Sequence, residues 1–136
     1  MAEVQDDDAR HSRADRALEF NEARLRIERA KSLPAVSSLN FKKFRSLDRF
    51  PDLGELAQIK RLQAGGTLIS NLEEVAKLHN LEILLINSTR VTDLSPISGL
   101  TRLTALNIHN NQISDLKTTT WVTKFREAEY ILHRGI

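Results

Sequence analysis

Apolar residues along the chain recur at an interval of 22 residues. Leu81, Leu84, Ile86, Val91, Leu94, Ile97 and Leu100 form one series, which restarts at Leu103, Leu106, Ile108, Ile113 and Leu116. The same interval taken backwards reaches Ile59, Leu62, Ala64, Ile69, Leu72, Val75 and Leu78. Positions aligned in successive units without a gap are an internal repeat, and a repeat of this length decides the whole architecture. One step further back, Leu47, Phe50, Leu53 and Leu56 keep the register, whereas Leu39, Phe41 and Phe44 fall one residue early. The first unit therefore carries one extra residue between Phe44 and Leu47.

Each unit mixes two periods. Its L-x-x-L-x-I portion alternates apolar and polar residues, as a half-buried strand does, and the remainder spaces its apolar residues three apart, as a tight helical return does. No unit buries its apolar face alone, so successive units stack and turn the repeated Leu and Ile positions into continuous interior columns. The pattern predicts an α/β solenoid: an arc of short parallel strands with tight helical returns, about four coils over residues 34–116, closed by helical caps.

The flanks read as those caps, because an open solenoid end otherwise shows apolar surface to water. Ala17, Phe20, Ala23, Ile27 and Ala30 lie at helical spacing, Ser12 and Asp15 are arranged as in a capping box, and Pro34 is a stop. A capping helix over residues 12–33 follows. Residues 1–11, with Asp6, Asp7 and Asp8 in a row, read as a disordered acidic tail. Over residues 117–136 the repeat signature is lost. Trp121, Val122, Phe125, Ala128 and Leu132 suit one face of a helix, so a helical cap is expected. The alternative is a degraded fifth strand at Phe125, Ala128 and Tyr130, which lie 22 residues after Leu103, Leu106 and Ile108.

The segment from Leu81 to Leu116, LEILLINSTRVTDLSPISGLTRLTALNIHNNQISDL, resembles the leucine-rich repeat family, in the 22-residue class seen in bacterial internalin-like repeats and protein phosphatase regulatory subunits. The likeness runs from about Val36 to Leu116. In that family an asparagine after the strand bonds backbone left open between coils. Here Asn111 fits, Thr89 and Thr67 can offer a hydroxyl at the same position, and Phe44 can offer nothing. The charged stretch from Ala14 to Lys31 also resembles the helical lead-in of bacterial leucine-rich proteins, some of which continue into Roco-type GTPases. No G-x-x-x-x-G-K-[ST] phosphate loop occurs in this sequence. The resemblance implies a binding module whose partner is another protein.

Composition changes this picture little. The 136 residues are 40% apolar and 28% charged with a net charge of +2, and the two signs are interspersed, which argues against a general polyanion-binding surface. No cysteine is present, which removes disulfides, thiolate nucleophiles and cysteine-based zinc sites. The N-terminus has no secretory pattern and no stretch approaches the roughly 20 apolar residues of a membrane span, so a cytoplasmic protein without a membrane partner is expected. His11, His79, His109 and His133 stand far apart without metal-ligand spacing, and Gly65 and Gly66 read as a coil turn needing unusual backbone angles. No catalytic residue, metal site or cofactor is expected, and the chain is read as a non-enzyme.

If the strands form one parallel sheet, alternate residues face outward along the inner curve of the arc. That face takes Ser38, Asn40 and Lys42 from the first strand, Arg61, Gln63 and Gly65 from the second, Ile83, Leu85 and Asn87 from the third, and Ala105, Asn107 and His109 from the fourth. Ile83 and Leu85 make an apolar spot inside a polar rim, as a binding hot spot is arranged, although two aliphatic residues exposed on a strand also occur without function. Twelve positions are fewer than the roughly 20 to 30 per side of a standard interface, which points to a transient partner. Two alternatives stand beside protein binding. One is nucleic-acid or ribonucleoprotein association through Lys42, Lys43, Lys60 and Arg61, disfavoured because no aromatic residue on that face can stack on a base. The other is a shortened, non-functional remnant of a longer repeat protein.

Overall fold

The structure, a computed structural model, describes residues 11–113 and 131–132. The first described element is helix α1, Arg13–Lys31. Ser12 is its N-cap, its hydroxyl accepting the Asp15 N–H at 3.1 Å. Asp15 in the first turn and Arg29 and Lys31 in the last complement the helix dipole. Ala23, Ile27 and Ala30 are buried against the first coil and Phe20 is half-buried. Ala17, expected on the same face, is exposed. A step of three residues turns the helix by only about 300°, so the run from Ala23 back through Phe20 drifts and leaves Ala17 off the contact stripe.

Five short strands follow: β1 Ser38–Asn40, β2 Arg61–Gln63, β3 Ile83–Leu85, β4 Ala105–Asn107 and β5 Ile131–Leu132. They form one parallel sheet in chain order. Between β1 and β4 the chain returns through tight turns, and among the described residues two of them are 3-10 helices, Val75–Lys77 and Ser95–Ile97. The returns open with side-chain caps 22 residues apart: Glu73 N–H donates to Asn71 Oδ1 at 2.7 Å and Ser95 N–H to Asp93 Oδ1 at 2.9 Å. The Ser95 N–H and then its hydroxyl stabilise the charged carboxylate and hold Asp93 below the ordinary carboxylate range.

The interior is the set of columns that the repeat implies. Leu39, Leu62, Leu84 and Leu106 stack with at most 2% of their surface exposed. Leu62 pairs with Leu84 and Leu84 with Leu106, but Leu39 pairs with Leu62, one residue more than the repeat interval. By the outer turn the offset is regular again, since Leu68 N–H donates to the Leu47 carbonyl as Arg90 N–H donates to that of Ile69. The extra residue therefore lies between Phe44 and Leu47. Ser46 sits in this insertion and is buried; its N–H donates to Glu19 Oε1 at 2.7 Å and its hydroxyl lies 2.9 Å from His11 Nδ1. The inserted residue is thus tied to the capping helix.

Two more helix groups close the first coil. Arg26 Nη1 donates to the Asn40 carbonyl at 2.7 Å, on the strand that forms the sheet edge, and Gln58 Nε2 donates to the Ala30 carbonyl at 3.1 Å. Edge backbone left bare would invite pairing with another chain. Beneath the helix, Phe41 packs with its ring centroid 5.9 Å from that of Phe44 and 6.0 Å from that of Phe50.

After each of the next three strands the backbone turns through the left-handed region at the same place: Gly66 (φ 81°), Ser88 (φ 58°) and Asn110 (φ 61°). Gly65 serves differently. It is buried, and a Cβ there would stand 2.5 Å from Asn87 Oδ1, so what it supplies is space. The residues after these turns carry the inter-coil bonds. Asn111 Oδ1 accepts the Thr89 N–H at 2.9 Å and Asn111 Nδ2 donates to the Ile86 carbonyl at 2.8 Å. Thr89 Oγ1 lies 2.9 Å from that carbonyl and 2.7 Å from Asn111 Oδ1, and Thr67 Oγ1 donates to the Ala64 carbonyl at 2.8 Å. The threonines reach the carbonyl three residues back with a hydroxyl.

At the far end the structure departs from the expected helical cap. Ile131 pairs with Leu106 and Leu132 with Asn107, so a fifth strand is present, and Leu132 belongs to it instead of to a helix face. Without it the β4 edge would leave backbone donors and acceptors without partners. The strand lies three residues later than the 22-residue register would place it. Trp121, Val122, Phe125, Ala128 and Tyr130, and the acidic run Asp6 to Asp8, lie outside the described residues.

Candidate partner-binding surface

The sheet register brings the outward residues of the four repeat strands together. Across the strands run Ser38, Arg61, Ile83 and Ala105 in one row and Asn40, Gln63, Leu85 and Asn107 in the next. Ser38, Asn40, Lys42 and Arg61 are exposed, while Gln63, Ile83, Leu85, Asn87, Ala105, Asn107 and His109 are half-buried. Gly65, expected among the outward residues, is a correction: it is buried, with the Asn87 side chain standing where its own would be.

Ile83 lies between Arg61 and Ala105, and Leu85 between Gln63 and Asn107. The apolar spot is therefore Ile83, Leu85 and Ala105, with a cation and amides at its margins. Partial burial of the two aliphatic side chains by their neighbours holds them in place, which lowers the entropy lost when a partner covers them.

The amides in the second row have a task that sequence reading missed. Asn40, Gln63 and Asn107 each turn a side-chain oxygen back to the N–H two residues on, at Lys42 (2.8 Å), Gly65 (2.8 Å) and His109 (3.0 Å). Each cap satisfies backbone where a strand ends and leaves the NH₂ group of the amide outside that bond. The signal in the sequence was an amide two residues before each turn, broken in the third coil, where Leu85 occupies that place.

The basic residues divide. Lys42 and Lys43 follow the end of β1 and, with Arg26, Arg45 and Asn40, line an open groove of about 440 Å³. Lys60 and Arg61, expected to share their patch, stand at the entry of β2, where Arg61 pairs with Ser38. Arg26 and Arg45 take their place, brought in by the helix and by the insertion before Leu47. Among the described residues no three His, Asp or Glu side chains are grouped to hold a metal ion. Nor is any described helix long and apolar enough to cross a membrane.

Residues 79–119 match the family model for leucine-rich repeats, in two copies. The chain carries leucine-rich repeats. Among solved structures it is similar to internalin C2 of Listeria monocytogenes, with a TM-score of 0.55 and 17% identity over 76% of this chain and 54% of that one. It is also similar to an internalin (inlF) of the same organism, with a TM-score of 0.50 and 21% identity over 71% of this chain and 34% of that one. Identities this low show the fold. The chain spans about half the length of the first internalin and about a third of the second. A comparison with curated proteins finds no match.

Proposed function

We propose that this leucine-rich repeat protein is a non-enzymatic interaction module that holds another protein, transiently and in the cytoplasm, on the outward side of its sheet. The observation that carries the reading is the apolar spot of Ile83, Leu85 and Ala105, held by its neighbours within a rim of amide donors and Arg61. Small apolar centres ringed by polar groups contribute most of the affinity of many interfaces, and the ring keeps water from them. The modest area of four short strands supports an exchangeable partner.

The test is a cross-linked pull-down from native cell lysate with the wild-type chain beside an Ile83→Glu, Leu85→Glu double variant, both shown to be folded by circular dichroism. A protein captured by the wild type and lost by the variant supports the sheet face. Capture of the same protein by both would overturn it.

A further inference from the structure

The groove beside the first coil has the features of a second contact site. Four of its five lining residues, Arg26, Lys42, Lys43 and Arg45, are cationic, in a chain whose net charge is only +2. Among the described residues none of the four is paired with a carboxylate. The ion pairs run elsewhere, from Arg16 to Asp48, Lys31 to Glu28 and Lys77 to Asp52. Glu19 lines the neighbouring recess with Lys43 and Arg45, its Oε1 accepting the Ser46 N–H at 2.7 Å, and its single charge leaves the four cations in excess. Like charges gathered in excess of their counter-charges repel, and an arriving anion relieves that repulsion.

Part of the groove is also built in advance. The Arg26 guanidinium lies 5.0 Å from the centroid of the Phe44 ring and is fixed at its other side by the 2.7 Å bond to the Asn40 carbonyl. The Lys43 ammonium stands 5.9 Å from the same ring. The Asn40 oxygen is committed to the Lys42 N–H, so its side chain presents donors. An anion would meet positive charge and N–H groups, with the guanidinium already held in place. Phe44 is buried and covered by Arg26, so it gives a nucleotide base no face to stack on.

We propose that this groove anchors an acidic peptide segment, the Asp and Glu side chains of a partner protein, beside the apolar spot. The inference rests on the protein-binding reading and adds the partner's chemistry. Asn40, Gln63 and Leu85 are cross-strand neighbours, which puts the groove two strand spacings from the apolar spot, about 10 Å. An extended chain covers that in about three residues. The partner motif is therefore an aliphatic or aromatic residue followed or preceded, about three residues away, by a run of carboxylates.

Fluorescence anisotropy on the full chain tests it, with a labelled octaglutamate peptide as probe and octaglutamine as control. Octaglutamate binds and octaglutamine does not. Binding weakens by about tenfold or more in Lys42→Glu, Arg45→Glu, a variant that leaves Arg26 on Phe44. Lys42→Gln, Arg45→Gln serves if the charge reversal fails to fold by circular dichroism. An Ile83→Ser, Leu85→Ser variant binds octaglutamate as the wild type does, so loss of the apolar spot and loss of the groove are read separately. Equal binding of the two peptides, an octaglutamate affinity untouched by the groove variants, or displacement of the peptide by a far lower concentration of oligothymidylate would each overturn the assignment, the last in favour of nucleic acid.

Discussion

Adjacent residues on β3 give the sharpest test of the register. Leu84 is 0% exposed and stands in the column between Leu62 and Leu106, with a strand on each side of its own. Truncation to alanine removes three carbons from a site whose walls are neighbouring coils, and those coils are fixed by backbone bonds such as Ala64 N–H to the Leu85 carbonyl at 2.8 Å. Such walls collapse little, so the cost is about 2 to 5 kcal/mol. Leu85 points the other way and is half-buried, so its truncation forfeits only part of the roughly 1.5 to 3 kcal/mol that full burial of a leucine contributes, about 1 kcal/mol. That is more than full exposure would give, because Gln63 and Asn107 lean on it. Urea unfolding followed by circular dichroism measures both. The midpoint for Leu84→Ala falls well below that for Leu85→Ala, and equal losses would refute the assignment of the two faces.

Two further predictions concern the seams between coils. Asn111→Ala leaves the buried Thr89 N–H without its acceptor and costs about 1 to 3 kcal/mol in the same unfolding assay. A loss under a few tenths would mean that water or Thr89 replaces the amide. Gly65→Ala and Gly66→Ala destabilise for different reasons: the first pushes on the Asn87 side chain, the second has open space but a φ of 81° that costs about 1 to 2 kcal/mol with a Cβ. Asn87→Ala should therefore relieve the first penalty and leave the second, and a double-mutant cycle that relieves both or neither would show the distinction to be wrong.

The fold was legible in the sequence to the extent that one period controlled it. The aligned columns, the parallel order of the first four strands and the early placement of Leu39 follow from counting apolar residues, because each position in a coil repeats the environment of the position one coil before. The site was less legible. Outward positions could be named from alternation, but the backbone caps of Asn40, Gln63 and Asn107 depend on turn geometry that spacing does not reveal. Gly65 was placed outward by the same alternation that holds for Lys42, Asn87 and His109, but without a side chain of its own it lies beneath that of Asn87. The groove combines Arg26 from the helix with Arg45 from the insertion, residues that no single period relates. At the far end the period itself is broken, since β5 pairs three residues late, and alignment by 22 misplaced it.

The departures from the repeat in the first coil share one physical origin. A repeating coil is flanked by coils on both sides, but the first meets a helix, and a helix offers side chains in place of a ladder of backbone groups. The asparagine position accordingly becomes Phe44, which packs against Phe41 and carries Arg26 on its face. The extra residue brings Ser46 to Glu19 and His11. The edge carbonyl of β1 accepts a hydrogen bond from Arg26. Each adjustment that lets α1 close the solenoid also adds or orients a cation at the mouth of the groove, Arg26 through its bond and stacking, Arg45 through the insertion. Capping and local charge are therefore coupled. A substitution such as Phe44→Asn, which restores the repeat's own residue, should remove the stacking surface and loosen Arg26, and so weaken octaglutamate binding even though every charge in the groove is retained.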